Sequence, residues 1–369
     1  MGEKNKEIIR ILNIVPNMRA AGIESFIMNV YRKIDRNKVQ FDFIVHNLEK
    51  NFYDNEIEQL GGRIYRLTFK DDKNIFKYIK DLNDFFKYHK EYKIVHGHMQ
   101  SMMPLYLLIA KIHNIPVRIA HSHNGAYEKS IKGFILHLFS RLTKKFSTNN
   151  WACSKIAGQY LFGKDKFKVI YNGIDVSDYI YNEKNRKEIR KELNIENKLV
   201  LLHVGRFEKQ KNHEYIIKIF EKLYLKNNDA ILLLIGEGKL KEKIRRLVDE
   251  KRLTDKVLFL GIRNDVNKIL QAADYFLLPS LYEGLPVVGI EAQYSKIKCL
   301  MSNTITSELK ISDNIYFFDL MNELNDWVDE IKPYNRDEVT IIDDKIFDIR
   351  HIVQEITKEY ERLYYGSIE

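Results

Sequence analysis

The sequence predicts an α/β protein of two doubly wound parallel-sheet domains, and three observations predict it. Short apolar, β-branched runs alternate with segments of helical spacing, the order that builds a parallel sheet with helices on both faces. The alternation restarts after a polar, charged stretch at Ile180–Asn197, which reads as a domain boundary. The length, 369 residues, suits two domains of ordinary size.

The first domain begins with the strand Ile8–Val15 and the helix Ile23–Ile34. Strand Phe41–His46, helix Asn55–Leu60 ending at Gly61-Gly62, and strand Ile64–Leu67 follow. Helix Asn74–His89, strand Ile94–His96, helix Met102–His113 and strand Val117–Ala120 continue the pattern. After the boundary come strand Lys198–Val204, helix His213–Leu225, strand Ala230–Ile235 and helix Leu240–Lys251. Strand Val257–Leu260, helix Val266–Ala272, strand Tyr275–Pro279, helix Pro286–Ser295 and strand Ile297–Met301 complete the second set. Asp344–Tyr365 reads as an amphipathic helix able to pack back on the first domain. The expected division is 1–180, 181–345 and the helix of 346–369. Open sheets of this kind bind ligands at the C-terminal ends of their strands, so two of them facing each other would enclose one cleft.

Apolar residues are 45% of the chain and charged residues 30%, which excludes a disordered protein. Sixty Lys+Arg against 51 Asp+Glu leave +9, which suggests an anionic partner: nucleic acid, a membrane surface or a phosphorylated small molecule. Cys153 and Cys299 are too few for a disulfide framework or a cysteine zinc site and predict a reducing, cytoplasmic compartment. The first residues lack a signal-peptide core, and Lys6 stands where myristoylation wants Ser or Thr. No apolar run approaches the roughly 18 residues that span a bilayer, so any membrane contact would be peripheral.

Three loops after strands carry the chemistry. Gly205-Arg206-Phe207-Glu208-Lys209-Gln210-Lys211 lies between a strand and a helix. A glycine, a planar guanidinium, an ammonium and a helix N-terminus there can hold a diphosphate; a solvated basic loop is the plainer reading. Gly236-Glu237-Gly238 ends the next strand, where glycines let a ligand approach the backbone or simply make a turn. After strand Tyr275–Pro279, Glu283 and Glu291 flank Gly284, Leu285, Pro286 and Val287 at a helix start. Two carboxylates beside a phosphate site are tolerable if each faces hydroxyls, such as those of a sugar and a ribose.

Glu283-x7-Glu291, with Gly205-Arg206 and Lys211 in the preceding unit, resembles glycosyltransferase family 4, retaining enzymes of the GT-B fold. That fold consists of two Rossmann-like domains facing a central cleft. Ala21-Gly22-Ile23-Glu24 resembles the family's Gly-Gly-x-Glu turn, departing at Ala21. Asn172-Gly173-Ile174-Asp175, Ser154 and Gly261-Ile262-Arg263-Asn264 are similar to further family segments. Arg118 to Asn124 (RIAHSHN) and Ser302 to Glu308 (SNTITSE) resemble bacterial exopolysaccharide and capsule enzymes.

The resemblance implies roles. Arg206 and Lys211 would bind the donor diphosphate and stabilise it as leaving group. Glu291 would bind the ribose and Glu283 the transferred sugar. The backbone of Gly284, Leu285, Pro286 and Val287 would assist. Arg263, Gly236 and Gly238 would flank the base, and Gly22 would admit the phosphates. His121 or His123 would touch the donor sugar; spacing does not decide between them. The donor is expected to be a UDP-sugar, the acceptor a glycan or a polyprenyl-diphosphate-linked chain. No cofactor or metal is expected, because two cations do what an Asp-x-Asp metal site does elsewhere, and the chain has no Asp-x-Asp.

Gly158 to Asp165 imitates a P-loop but ends in Asp rather than Ser/Thr. His96-Gly97-His98 lacks acidic or cysteine partners nearby in sequence, which argues against a metal. Lys129–Phe146 and Phe69–Lys93 mix cations with apolar residues and suit an anionic bilayer, or else are packed helices with solvated rims. The rivals are a nucleotide-sugar epimerase or hydrolase on the same fold, and a non-catalytic basic protein binding membrane or nucleic acid. The first is opposed by Glu283-x7-Glu291; the second leaves Arg206, Lys211 and Glu283 without a role.

Overall fold

The computed structural model describes residues 7–19, 21–68, 74–125, 130–321, 324–342 and 345–367. The chain divides into two compact units, residues 1–174 with 346–369, and residues 175–345. In the first lie β1 (Ile9–Val15), α1 (Gly22–Lys33), β2 (Val39–Val45), α2 (Asp54–Gln59), β3 (Ile64–Arg66), α3 (Ile75–Tyr88) and β4 (Ile94–Gly97). α4 (Met103–Ile112), β5 (Val117–Ser122), α5 (Ile131–Ser140), β6 (Asn149–Ala152), α6 (Lys155–Phe162) and β7 (Lys168–Val169) follow. The second holds α7 (Glu183–Glu192), β8 (Leu199–Val204), α8 (His213–Lys226), β9 (Ala230–Ile235), α9 (Lys241–Glu250) and β10 (Val257–Gly261). It continues through α10 (Val266–Ala272), β11 (Tyr275–Leu278), α11 (Val287–Tyr294), β12 (Lys298–Ser302), β13 (Ile315–Phe318) and α12 (Leu324–Asp329). Helix α13 (Ile349–Tyr365) returns to the first unit.

Among the described residues the first sheet has seven strands in the order β3-β2-β1-β4-β5-β6-β7, and the second has six in the order β10-β9-β8-β11-β12-β13. The pairings between these strands are parallel. A parallel strand covered on both faces must be apolar on both, and β9, Ala-Ile-Leu-Leu-Leu-Ile, is buried throughout. Strand order reverses direction between β1 and β4 and again between β8 and β11. Such switch points open a crevice at the strand C-termini, where the two flanking connections diverge to opposite faces.

The first unit is closed by α13. Ile352, Val353, Ile356 and Tyr360 share one apolar cluster with Phe26, Val30 and Phe41. Ile349 N–H donates to Ile174 O at 2.8 Å, and Ile174 N–H to Phe347 O at 2.9 Å.

Several expected bounds move. The break falls after Ile174, not Ile180, because the next residues bond into the second unit: Gln271 Nε2 donates to Tyr179 O, and Asn267 Nδ2 to Asp178 O. The charged stretch after Ile180 is no bare linker but contains α7. Its Arg186 reaches Asp274 at 2.6 Å and its Arg190 the carbonyl of Ala272 at 2.8 Å. β6, α6, β7, β13 and α12 were not among the periodic segments. Lys129–Phe146 proves to be α5 followed by a 3-10 turn at Arg141–Lys145. Lys129, residues 69–73 of the other basic stretch, and residues 1–6 with Lys6 lie outside the described residues. Both cysteines are buried as free thiols. Among the described residues, no helix is long and apolar enough to cross a membrane.

Candidate active site

The second unit gathers its candidates at the β8/β11 crevice. Strand β8 ends at Val204, and the chain runs through Gly205 and Arg206 into a 3-10 turn at Lys209–Lys211. Asn212 then takes the left-handed conformation (φ 55°), which asparagine tolerates, and redirects the chain into α8. Opposite it, β11 leads through Pro279–Gly284 into α11. The two connections are tied to each other: Leu281 N–H donates to Gln210 O at 2.8 Å, Gln210 Nε2 to Tyr282 O at 2.9 Å, and Asn212 Nδ2 to Pro279 O at 3.1 Å.

This lacing brings together two residues that the sequence separates widely. Lys211 Nζ lies 2.5 Å from Glu283 Oε1, with both side chains mostly buried (16% and 9% exposed). Gln210 Nε2 donates to the other carboxylate oxygen at 3.2 Å. The ammonium is thus held by a fixed acid, and that acid has one oxygen on a lysine and the other on an amide. Arg206 stays exposed beside Glu208 (3.1 Å), a surface pair that costs little to break. Beneath the loop, His203 Nδ1 meets Leu277 O at 2.8 Å, and His213 stacks on Phe207 at 4.1 Å between centroids. Burial pushes His203 well below the usual imidazole range and His213 down to about 4, so both are neutral at pH 7.

The glycines divide by role. A Cβ on Gly236 (φ +136°) would sit 2.2 Å from Gly205 O. Its bareness therefore serves the packing of one loop on the other, rather than only a ligand's approach. Gly238 likewise faces the Phe207 backbone at 2.7 Å. Pro286 is the residue before α11 rather than its first, and it has no N–H, so Gly284, Leu285 and Val287 alone of that run carry donors. Arg263 has its fork on Asp265 (2.7 and 2.8 Å) and Glu192 (3.2 Å), which commits most of its donors within the protein.

Glu291, in α11, accepts from Tyr179 O–H at 3.0 Å. Burial pushes its carboxyl up to about 7, against the opposing pull of that hydrogen bond. A carboxyl titrating near 7 when folded and near 4.5 when unfolded favours the fold most below 4.5, and the contribution is lost as pH rises through 7. The melting temperature is expected to fall between about pH 5 and 8, and Glu291→Gln to flatten that slope. Equal slopes in calorimetry of both proteins would show a carboxylate ionised throughout.

In the first unit, Gly22 opens α1 after β1, and among the described residues nothing outside its chain neighbours and its own helix backbone lies within 4 Å of where its Cβ would be. β4 and β5 pair with Gly97 opposite Ala120, which sets His96 and His98 beside His121 and His123. Side chains two residues apart on a strand share a face. His96 bonds Tyr360 O–H (2.7 Å) and His121 Nδ1 (3.1 Å); His98 bonds His123 Nε2 (2.9 Å) and Asn13 Oδ1 (3.3 Å). Burial pushes all four well below the usual imidazole range, so they are neutral at pH 7. His121 Nε2 and His123 Nδ1 have no hydrogen-bond partner. His121 is fully enclosed beside Trp151 and Phe26, whereas His123 lies beyond the strand end and keeps 7% of its surface.

Among the described residues, His96, His98 and His121 are grouped closely enough, within 4.8 Å, to offer nitrogens to one cation. The third comes from the neighbouring strand, which is why spacing alone did not reveal it. Sequence reasoning also missed Gln210, hidden in a charge run, and Tyr179, hidden in the boundary. Strand order, not composition, is the signal that would have found them.

Residues 20–178 match the family described as Glycosyltransferase Family 4, and residues 185–315 the family described as Glycosyl transferases group 1. The putative glycosyltransferase EpsF of Bacillus subtilis is 32% identical over 309 residues, covering 81% of this chain and 80% of that one. The chain belongs to glycosyltransferase family 4. This glycosyltransferase is also similar to the capsular polysaccharide biosynthesis glycosyltransferase CapH of Staphylococcus aureus (28% identical; 96% and 99% covered). It matches the UDP-Gal:alpha-D-GlcNAc-diphosphoundecaprenol alpha-1,3-galactosyltransferase of Escherichia coli at 29% (75% and 73% covered). Anabaena HepE, solved with UDP and glucose, superposes with a TM-score of 0.73 at 16% identity, over 97% and 98% of the two chains. The two parallel-sheet units of the glycosyltransferase are thus those of the GT-B fold.

Proposed function

We propose that this family 4 glycosyltransferase transfers a sugar, with retention, from a UDP-sugar to a growing lipid-linked cell-surface polysaccharide, without a metal ion. The observation that carries the reading is the Lys211–Glu283 pair at the β8/β11 crevice. Departure of a nucleoside diphosphate concentrates negative charge on its outer phosphate. A fixed ammonium, with the Arg206 guanidinium carried on the same loop, would stabilise that charge more in the transition state than in the ground state. Glu283 turns an acceptor-only carboxylate to the hydroxyls of the transferred sugar while it holds Lys211 in register. Glu291 takes the ribose hydroxyls. Of the two histidines, His123 takes the donor-sugar role, since it lies just beyond the end of β5 and keeps 7% of its surface while His121 is fully enclosed; each has one buried ring nitrogen without a partner. The acceptor oxygen would attack the anomeric carbon from the leaving group's own side. Its proton would pass to the departing diphosphate oxygen, and the carbon–oxygen bond to the diphosphate would break. The relatives named for capsular polysaccharide biosynthesis and for galactosyl transfer to alpha-D-GlcNAc-diphosphoundecaprenol support this acceptor class.

Thermal shift with UDP, GDP and ADP in the presence of EDTA tests the donor. UDP is expected to raise the melting temperature most, with about 2.7 kcal/mol of stabilisation at a hundredfold excess over Kd. No shift with any nucleotide, or a shift only after Mg²⁺ is added, would overturn the reading.

A further inference from the structure

We infer that α5 and the 3-10 turn after it are a docking element for an anionic bilayer. A helix on a soluble protein ordinarily turns its apolar stripe inward. α5 does the reverse: Ser140 is its one buried residue, while Ile131 (84% exposed), Ile135 (58%) and Leu138 (51%) are largely exposed. An apolar patch of this kind marks an interaction site.

Charge selects the occupant. From Ser130 to Phe146 the sequence has no acidic residue and four cations, Lys132, Arg141, Lys144 and Lys145, of which Lys144 is paired with Asp165 at 3.1 Å. A cationic, apolar helix lying in the headgroup region gains both from burying its apolar side chains and from anionic lipid. A second copy of the chain would bring four more cations against these four. The position fits as well. α5 packs on the 3-10 turn Gln100–Met102 that follows His98, and it begins soon after His123. The helix is therefore at the strand C-terminal edge, where a lipid-anchored acceptor is needed; that link alone rests on the proposed function.

The full chain is expected to co-sediment with vesicles of phosphatidylglycerol and phosphatidylcholine. Binding should weaken by more than about tenfold with phosphatidylcholine alone. Ile135→Glu combined with Leu138→Glu should abolish vesicle binding while leaving the melting temperature and the UDP shift unchanged, since both side chains are exposed. Equal sedimentation of this variant with the anionic vesicles, or none by the unaltered protein, would overturn the inference. So would a dimer in sedimentation velocity that the same two substitutions dissociate, which would assign the face to a second copy. Absence of the UDP shift in the unaltered protein would instead count against the donor reading and leave the vesicle result standing.

Discussion

Lys211→Ala is expected to lower turnover about 10²- to 10³-fold, the usual loss when a group aimed at developing negative charge is removed. Two effects combine. The leaving diphosphate loses its fixed ammonium, and Glu283, only 9% exposed, loses the partner 2.5 Å away. A buried carboxylate left unpaired destabilises its surroundings, so some fall in melting temperature should accompany the fall in rate. Glu283→Gln separates the two. It removes the charge but leaves Lys211 in the loop, its single amide oxygen accepting from Lys211 or from Gln210 but not from both, so UDP should still raise the melting temperature while sugar transfer fails. Steady-state kinetics and thermal shift on both variants make the comparison. Turnover by Lys211→Ala within about threefold of the unaltered enzyme would remove the leaving-group role.

Gly236→Ala is expected to be strongly damaging although it alters no charged residue. Its Cβ would lie 2.2 Å from Gly205 O at φ +136°, and the obstacle is backbone, which cannot swing aside as a side chain can. Strain at such a site and a forced shift of the facing loop together cost about 2–4 kcal/mol. Because the displaced loop holds Arg206 and Lys211, UDP binding should weaken as well. Gly22→Ala is the matched contrast. Among the described residues nothing beyond its own chain neighbours and helix backbone lies within 4 Å of that Cβ, so stability should stay within about 0.5 kcal/mol, and any lost activity there would report a ligand. Chemical denaturation of the two variants decides it; a Gly236→Ala protein as stable as the parent would show that the two loops are free to separate.

The contrast between these glycines shows what a sequence can carry. Gly236 and Gly22 read alike as places for close approach, and only the neighbouring strand tells protein from open space. Where periodicity was strong, as in Ala230–Ile235 and Val266–Ala272, the elements stand at the expected residues. Where an element is short or polar, as with Asn149–Ala152 and Lys168–Val169, there was no pattern to read. α7 was misread because its exposed face is dense in charge, while Ile189 and Arg190 alone mark its buried side. In the site, the residue types were legible but their pairing was not. Lys211 meets Glu283, and His98 meets His123, through sheet order, which no local window contains.

The return of α13 to the first unit has a consequence for how the protein is made. Tyr360, Ile356 and Ile352 supply part of the core around Phe26 and Phe41, yet they leave the ribosome after the whole of the second unit. The second unit can collapse as soon as its own strands are complete, whereas the face of the first sheet that packs Phe26 and Phe41 is completed only when the closing helix arrives. For that face, completion follows the synthesis of the whole second unit. The apolar face under α1 and β1 remains open through most of translation, which makes the nascent chain, rather than the finished enzyme, the form most exposed to aggregation and to chaperone capture.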